Sequence, residues 1–221
     1  MAGAKEGLVI WGASGQAAVI VDIIRLKSEY EIIGFIDDLD PERHGTEFCG
    51  APVLGGAEQL ERLQSQGIRT LIMGFGNSRA RLRLAALARS KGYRLATAIH
   101  PHTSLGMGAS VGPGTVIKAG AAIDPLVRIG ENVIVGSCVS IGHHAVLEDG
   151  VRINAGARVS GYATIGKAAT IGTGALIRDR VHIGEYCFVG MGAAVIRDIP
   201  DRVVAYGVPA KVRRAITPEA D

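Results

Sequence analysis

The second half of the chain carries an aliphatic residue at every sixth position, from Leu105 to Val195. This spacing gives sixteen consecutive hexapeptides without an insertion. The fourth residue after each aliphatic is usually small or β-branched, and the residue directly after it is often glycine. A register kept over this length indicates an internal repeat. The periodic aliphatics are Leu105, Val111, Ile117, Ile123, Ile129, Val135, Ile141, Leu147, Ile153, Val159, Ile165, Ile171, Ile177, Ile183, Val189 and Val195.

Such a repeat predicts a solenoid of parallel strands stacked about 4.8 Å apart. Three hexapeptides form one triangular coil, so sixteen of them predict a little over five coils and a prism roughly 25 Å tall. We expect the aliphatics to fill the interior and the small residues and glycines to make the corners. At this point a purely structural helix, of the antifreeze type, remains the alternative to a catalytic one.

The first hundred residues alternate apolar strands with helical stretches. Strands are predicted at Leu8–Trp11, Ile32–Ile36 and Thr70–Met73, and helices at Ala17–Leu26 and Arg79–Lys91. This alternation predicts a Rossmann-like α/β domain over residues 1–100, with ligands at the carboxyl ends of its parallel strands. The β-helix and a C-terminal tail then occupy residues 101–221.

Two loops of the first domain are candidates for nucleotide binding. Gly12-Ala13-Ser14-Gly15 precedes a helix and could bring backbone N–H groups to a phosphate, although the full G-x-G-x-x-G pattern is absent. Asp37 ends the second strand and could hold ribose hydroxyls. The alternatives are a turn and an exposed acidic loop, or an NAD-dependent dehydrogenase, whose second catalytic domain does not follow in the sequence.

Composition narrows the function classes. The net charge is +3, and the basic residues are spread over both halves, which argues against a nucleic-acid binder. The odd set Cys49, Cys138 and Cys187 favours reduced thiols and a cytoplasmic location. No signal pattern or long apolar run is present, so we expect a soluble protein with no membrane partner.

The order of motifs along the chain resembles one family. The motifs are Gly12-Ala13-Ser14-Gly15, Gly34-Phe35-Ile36-Asp37-Asp38, Gly74-Phe75-Gly76-Asn77, Ile99-His100-Pro101, the hexapeptides and Gly207-Val208-Pro209-Ala210-Lys211. This combination resembles the sialic acid O-acetyltransferases and the nucleotide-sugar N-acetyltransferases of bacillosamine and perosamine synthesis. The resemblance covers nearly the whole chain. It implies a left-handed β-helix, acetyl-CoA as co-substrate, no metal, a nucleotide-linked or free sugar acceptor, and a homotrimer, and it leaves N- or O-acylation open.

The resemblance also implies roles for particular residues. His143 matches the catalytic base, and Gly161, eighteen residues later, matches the backbone N–H that stabilises the oxyanion. The expected acetyl-CoA groove is lined by Arg152, Gly161, Thr173, Met191 and the basic tail with Lys211, Arg213 and Arg214. The expected nucleotide-sugar contacts are Ser14, Gly15, Gln16, Asp37, Asp38 and Gly76.

Four positions depart from the family pattern. His144 stands where an acidic residue usually follows the base, so His144 either orients His143 or has exchanged roles with it. Arg152 and Gln16 replace histidines, and Gly136 replaces an asparagine that can touch the acceptor.

Two other functions therefore stay open. One is a non-catalytic nucleotide-sugar sensor or partner subunit. The other is a hydratase resembling γ-type carbonic anhydrases, which needs three histidines on zinc. The candidates for that site lack the closely spaced pair it uses; they are His102, His143, His144 and His182.

Overall fold

The computed structural model describes residues 5–217 and divides into two compact units, with the boundary between Pro101 and His102. Within this described range, no helix combines the length and the apolar character needed to cross a membrane.

The first unit is an α/β domain around one parallel sheet. Its elements are β1 (Glu6–Trp11), α1 (Gly15–Lys27), β2 (Tyr30–Ile36), a 3-10 turn (Pro41–Arg43), β3 (Glu47–Phe48), β4 (Ala51–Gly55), α2 (Gln59–Ser65), β5 (Thr70–Met73), α3 (Ser78–Ser90), β6 (Arg94–Leu95) and β7 (Ala98–Ile99). The sheet has the order β3-β4-β2-β1-β5-β6, and only the β3–β4 pair is antiparallel. Because β1 lies between β2 and β5, the chain reverses its direction across the sheet at the carboxyl end of β1.

Burial explains why β1 reads as an uninterrupted apolar run. Leu8, Val9 and Ile10 are completely buried, as expected for a central strand covered on both faces. Helix α1 begins after Ser14, whose hydroxyl accepts a hydrogen bond from Gln16 N (3.1 Å). Helix α3 begins after Asn77, which caps Ala80 N in the same way (2.8 Å). Both helices therefore start beside the carboxyl edge of the sheet.

The second unit is a parallel β-helix built from two-residue strands. They are β8 (Ser104–Leu105), β9 (Ser110–Val111), β10 (Val116–Ile117), β11 (Ala122–Ile123), β12 (Arg128–Ile129), β13 (Ile134–Val135), β14 (Ser140–Ile141), β15 (Val146–Leu147), β16 (Arg152–Ile153), β17 (Arg158–Val159), β18 (Thr164–Ile165), β19 (Thr170–Ile171), β20 (Leu176–Ile177), β21 (His182–Ile183), β22 (Phe188–Val189) and β23 (Ala194–Val195), followed by the hairpin β24 (Val203–Tyr206) and β25 (Lys211–Ala215). Each periodic aliphatic is the second residue of a strand. The predicted fold class, a Rossmann-like domain followed by a left-handed parallel β-helix, is confirmed.

Three faces form the prism. The first face contains β8, β11, β14, β17, β20 and β23; the second contains β9, β12, β15, β18 and β21; the third contains β10, β13, β16, β19 and β22 and continues into β24 and β25. Each strand pairs with the one eighteen residues later, as Ile123 does with Ile141. The interior is filled by these aliphatics and by the residue four positions later, for example Val127 and Val133, which are fully buried.

The corners differ from the expectation in one respect. The left-handed backbone conformation that turns the chain falls on the fourth hexapeptide position, as at His144 (φ 61°), Tyr162 (φ 58°) and Arg180 (φ 58°). The glycine directly after the aliphatic has another role: a Cβ at Gly142 would lie 2.5 Å from the backbone nitrogen of Gly161. The prediction that these glycines make the corners was wrong; they let consecutive coils approach each other closely.

Candidate functional site

His143 and His144 lie at the corner between the first and second faces, where β14 leads to β15. Both side chains are exposed. Their Nδ1 atoms are 3.1 Å apart, within hydrogen-bond distance. The histidine predicted as the base is therefore paired with the histidine that departs from the family pattern.

Gly161 lies one coil further along, against the ring of His143. A Cβ on Gly161 would lie 3.1 Å from both Cε1 and Nε2 of that ring. The Gly161 carbonyl accepts a hydrogen bond from Arg180 N (3.1 Å), whereas its own N–H donates to none of the residues 5–217. The residue next to the Nε2 edge of the imidazole therefore has a backbone N–H that no described residue uses.

The sequence analysis missed two aromatic and cationic contacts at this corner. The rings of His144 and Tyr162 are stacked with centroids 4.6 Å apart and an interplanar angle of 14°. The guanidinium carbon of Arg180 lies 4.7 Å from the Tyr162 centroid on the next coil. All three residues are spaced eighteen apart, so this spacing, applied to the fourth hexapeptide position, was the signal that could have revealed the column.

Thr173 and Met191 lie at a different corner, between the third and first faces. Both are exposed, and Met191 is 78% accessible. The two are on consecutive coils, since a Cβ on Gly172 would lie 2.6 Å from the Met191 nitrogen. Beside them, a Cβ on Gly174 would meet no atom within 4 Å. No neighbouring atoms crowd this corner, and it is exposed to solvent.

Arg152 and Lys211 belong to the third face and its extension. The half-buried Arg152 donates through Nε to Asn154 Oδ1 (2.9 Å). Burial lowers the pKa of Lys118 on the same face, and the positive charge of Arg152 lowers that pKa further. Lys211 starts the exposed strand β25, which pairs antiparallel with β24. The third face and its extension thus carry the positive charges of Lys118, Arg152 and Lys211. The spacing of these residues in the sequence did not predict that they share this face.

Gly136 has a structural reason for departing from the family pattern. A Cβ at this position would lie 2.6 Å from the Ala155 nitrogen and 2.9 Å from the Ile153 carbonyl oxygen. An asparagine would require the neighbouring coil to move away.

The structure therefore separates the predicted site of the β-helix into two sets. His143, His144 and Gly161 form the histidine corner, between the first and second faces. Thr173 and Met191 form the open corner, between the third and first faces, and Arg152 and Lys211 lie on the adjoining third face. Within one chain, the width of the first face lies between these two corners.

The first unit has a cavity of about 630 Å³ at the carboxyl ends of β1, β2 and β5. Trp11, Phe75 and Leu84 give it a largely apolar lining, and Arg83 is its cationic side chain. Ser14, Asp37 and Asp38 are also part of the lining. The location agrees with the edge at which the strand pattern predicts a ligand.

Asp37 and Asp38 are already engaged by the protein. The buried Asp37 accepts hydrogen bonds from Ala13 N (3.0 Å) and Leu39 N (2.9 Å). The exposed Asp38 accepts from Trp11 Nε1 (2.7 Å) and Ala57 N (2.7 Å). Each carboxylate oxygen has two lone pairs, so both groups can accept a further bond from a ligand. The alternative of an exposed acidic loop is wrong for Asp37, because this side chain organises the loops around it.

The other predicted contacts of the first unit surround the start of α1. The Ser14 hydroxyl donates to Gly74 O (2.7 Å) and caps the helix, Gly15 is exposed, and Gln16 has a buried Nε2 without a hydrogen-bond partner among residues 5–217. The Gly76 carbonyl accepts from Nη1 of Arg81 (3.0 Å), a buried arginine that the sequence analysis did not single out.

No three His, Cys, Asp or Glu side chains of residues 5–217 are grouped closely enough to hold a metal ion.

Comparisons with known proteins place this geometry in a family. The PglD N-terminal domain family matches residues 7–87. A variant of perosamine N-acetyltransferase from Caulobacter crescentus, solved in complex with CoA and GDP-perosamine, has a TM-score of 0.90 and 33% identity over 96% of this chain and 98% of that one. The chain belongs to the nucleotide-sugar N-acetyltransferase family. The resemblance drawn from its motifs is confirmed.

Two further matches agree with this family. The acetyltransferase domain of PglB from Neisseria gonorrhoeae, solved with acetyl coenzyme A, has a TM-score of 0.88 and 31% identity over 95% of this chain and 100% of that one. The dTDP-3-amino-3,6-dideoxy-alpha-D-galactopyranose 3-N-acetyltransferase of Aneurinibacillus thermoaerophilus is 58% identical over 31 residues, which are 14% of this chain and 16% of that enzyme.

Proposed function

We propose that this protein transfers the acetyl group of acetyl-CoA to the amino group of a nucleotide-linked sugar, with His143 as the general base. The observation that supports this most directly is the His143 ring lying against Gly161, whose N–H is free of any partner among the described residues. Relatives solved with CoA and GDP-perosamine, or with acetyl coenzyme A, support both co-substrates. The names of these relatives favour an amine over a hydroxyl as the acceptor.

The proposed reaction is a direct transfer. Neutral His143 takes a proton at Nε2 while the sugar nitrogen attacks the thioester carbonyl carbon. The new C–N bond moves the carbonyl electrons onto oxygen and gives a tetrahedral intermediate. Collapse of this intermediate breaks the C–S bond, and the CoA thiolate recovers a proton from His143. The base is thereby returned to its neutral form.

Gly161 is the proposed oxyanion donor. Gly161 lies beside the ring that removes the proton, and none of the described residues accepts a hydrogen bond from its N–H. A backbone donor that is already in place needs no rearrangement as the negative charge develops, and a single such donor is worth about 3–4 kcal/mol in other enzymes.

We place the nucleotide of the sugar substrate in the cavity of the first unit. Its volume of about 630 Å³ lies inside the range of about 300–1,000 Å³ that is usual for small-molecule sites. Trp11 and Phe75 offer apolar surface to a nucleoside, and Gly15 at the start of α1 offers backbone N–H groups to a diphosphate. Asp37 and Asp38 retain lone pairs for ribose hydroxyls.

The open corner with Thr173 and Met191 is the proposed acetyl-CoA groove, with Arg152 and Lys211 supplying positive charge for the phosphates. Since this corner and the histidine corner are separated within one chain, a complete site requires the open corner of a neighbouring chain. We therefore propose a threefold homo-oligomer with one groove at each interface.

Turnover with UDP-, GDP- and dTDP-linked amino sugars, followed by CoA thiol release, tests this function. We expect His143→Ala to lower kcat by about two to four powers of ten, the usual contribution of a general base. The protection that CoA gives against heat should remain, because the groove is intact. His182→Ala is the matched control: His182 is also exposed, but lies on the second face, in β21.

His144→Asp tests which histidine is the base. If His143 is the base, an acidic neighbour stabilises its imidazolium, so activity should be kept or raised and the pH–rate profile should shift. Loss of turnover in His144→Asp, together with activity in His143→Ala, would reverse the two roles. If sugar nucleotides stabilise the protein but no sugar is acetylated, a non-catalytic binding partner is the better description.

A further inference from the structure

The two histidine rings at the histidine corner face each other through like atoms. Nδ1 of His143 and Nδ1 of His144 are 3.1 Å apart, so only one of them can carry a hydrogen in a hydrogen bond between them. The other must accept through its lone pair. The protonation pattern of one ring therefore dictates the pattern of the other.

Only one of the two arrangements leaves His143 able to act as a base at the atom next to Gly161. If His143 donates from Nδ1, its neutral ring has a lone pair on Nε2, the atom that lies 3.1 Å from the Cβ position of Gly161. If His143 accepts at Nδ1, the proton of its neutral ring is on Nε2, and this atom cannot take another. His144 must then be the acceptor in the active arrangement.

The orientation of His144 is fixed from the coil above. Its ring is stacked on the Tyr162 ring, with centroids 4.6 Å apart, and the Arg180 guanidinium lies over the Tyr162 ring at 4.7 Å. The coils themselves are held in register by Tyr162 N donating to His143 O (3.0 Å) and Arg180 N donating to Gly161 O (3.1 Å). Rotation of the His144 ring would break the stack with Tyr162.

We infer that Tyr162, covered by Arg180, is a positioning residue: by stacking on His144 it holds His144 Nδ1 within hydrogen-bond distance of His143 Nδ1, so that His144 can accept from His143 Nδ1–H and the lone pair of His143 stays on Nε2. This inference rests on the proposed role of His143 as the base. Tyr162 also meets the His143 ring edge-on, with centroids 5.2 Å apart, so it acts through both members of the histidine pair and needs no contact with substrate.

Imidazole ¹⁵N NMR of the full-length protein, labelled at histidine nitrogens, measures this arrangement without any substrate. The test variant is Tyr162→Gly, because glycine adopts the φ of 58° at this position without strain and the fold should be kept. Tyr162→Phe keeps the aromatic ring and should behave as the unchanged protein. Tyr186→Gly is the matched control, since Tyr186 has φ 55° and lies under Arg202 (4.6 Å) at another corner.

The spectrum of the unchanged protein should show the neutral His143 protonated at Nδ1. In Tyr162→Gly, protonation at Nε2 should appear, and kcat should fall about five- to tenfold with KM changed less than about twofold, because fewer molecules hold the base in its competent form. Tyr162→Phe and Tyr186→Gly should match the unchanged protein in both measurements.

Several results would overturn the inference: His143 protonated at Nε2 in the unchanged protein, a His143 tautomer that does not respond to Tyr162→Gly, or an equal loss of kcat in Tyr186→Gly. If the tautomer responds as expected but the unchanged protein acetylates no sugar, the proposed function fails while the positioning role stands.

Discussion

At the level of single residues, the absence of a side chain at Gly161 leaves room for the ring of the proposed base. The ring of His143 occupies the space next to it, and a Cβ would come within 3.1 Å of two ring atoms. The φ of Gly161 is not in the left-handed region, so its backbone would accept any residue. Glycine is needed here for the close approach of the His143 ring and, at 3.3 Å from the Cβ position, of the His143 carbonyl oxygen.

Gly161→Ala should therefore affect catalysis and leave the fold intact. The added methyl group pushes the His143 ring away by a few tenths of an ångström and displaces the oxyanion donor relative to the base. We expect kcat to fall on the order of tenfold, since small misplacements of reacting groups are costly, with Tm almost unchanged. An unaltered kcat at normal acetyl-CoA saturation would mean that Gly161 and His143 do not act on the same carbonyl.

Residue spacing predicted the encounter of His143 with Gly161, because each coil adds eighteen residues. It could not predict the partners of Asp37, whose carboxylate binds the backbone of Ala13 and Leu39. Those bonds depend on how two loops bend at the edge of the sheet, which the local sequence does not encode. The roles predicted for individual site residues stay predictions until they are tested by substitution.

At the level of elements, the hexapeptide has two positions that favour glycine for different reasons. The residue directly after the aliphatic, such as Gly142, lies very close to the backbone of the next coil. The residue at the fourth position, such as His144, adopts the left-handed backbone conformation. Glycine satisfies both demands, which is why the sequence pattern alone did not distinguish them. In the first unit, β3, β4, α2, β6 and β7 were not predicted, because each is only two residues long or is interrupted by polar residues or proline, whereas β1, β2 and β5 contain clear apolar runs.

Ala168 and Ala169 offer a matched test of the corner conformation. Both are buried, but Ala168 has φ 55° and Ala169 does not have a positive φ. Ala168→Gly relieves a strain of about 1–2 kcal/mol, which roughly offsets its greater unfolded-state entropy and lost methyl. Ala169→Gly has no such relief and should be destabilised by about 1–2 kcal/mol. Urea denaturation of both variants measures the difference, and equal losses would contradict the assignment of the strain.

At the level of the whole molecule, the separation of the histidine corner from the open corner predicts a shared site. His143→Ala removes the base of one chain, and Thr173→Trp fills the open corner of another. Each variant alone should retain at most a small fraction of the normal activity. In trimers formed from an equal mixture, about a quarter of the interfaces should combine an intact base with an intact groove, if the pairing between chains is random.

Native mass spectrometry would show whether the mixed trimers form, and CoA release would show whether activity returns. Mixed trimers without any recovered activity would place the base and the groove on the same chain. A protein that stays monomeric in light scattering at micromolar concentration would remove the shared site altogether.

The stacking of coils also has a consequence for how this protein tolerates change over evolution. Along each corner, a side chain meets the residues eighteen places before and after it far more closely than most of its neighbours in the sequence. Substitutions should therefore be compatible or incompatible column by column: His144 with Tyr162, and Tyr162 with Arg180. The residues of one column can then change together while the residues of the adjacent column stay the same. Substitutions at His144 should therefore be tested together with Tyr162 and Arg180, which share its column.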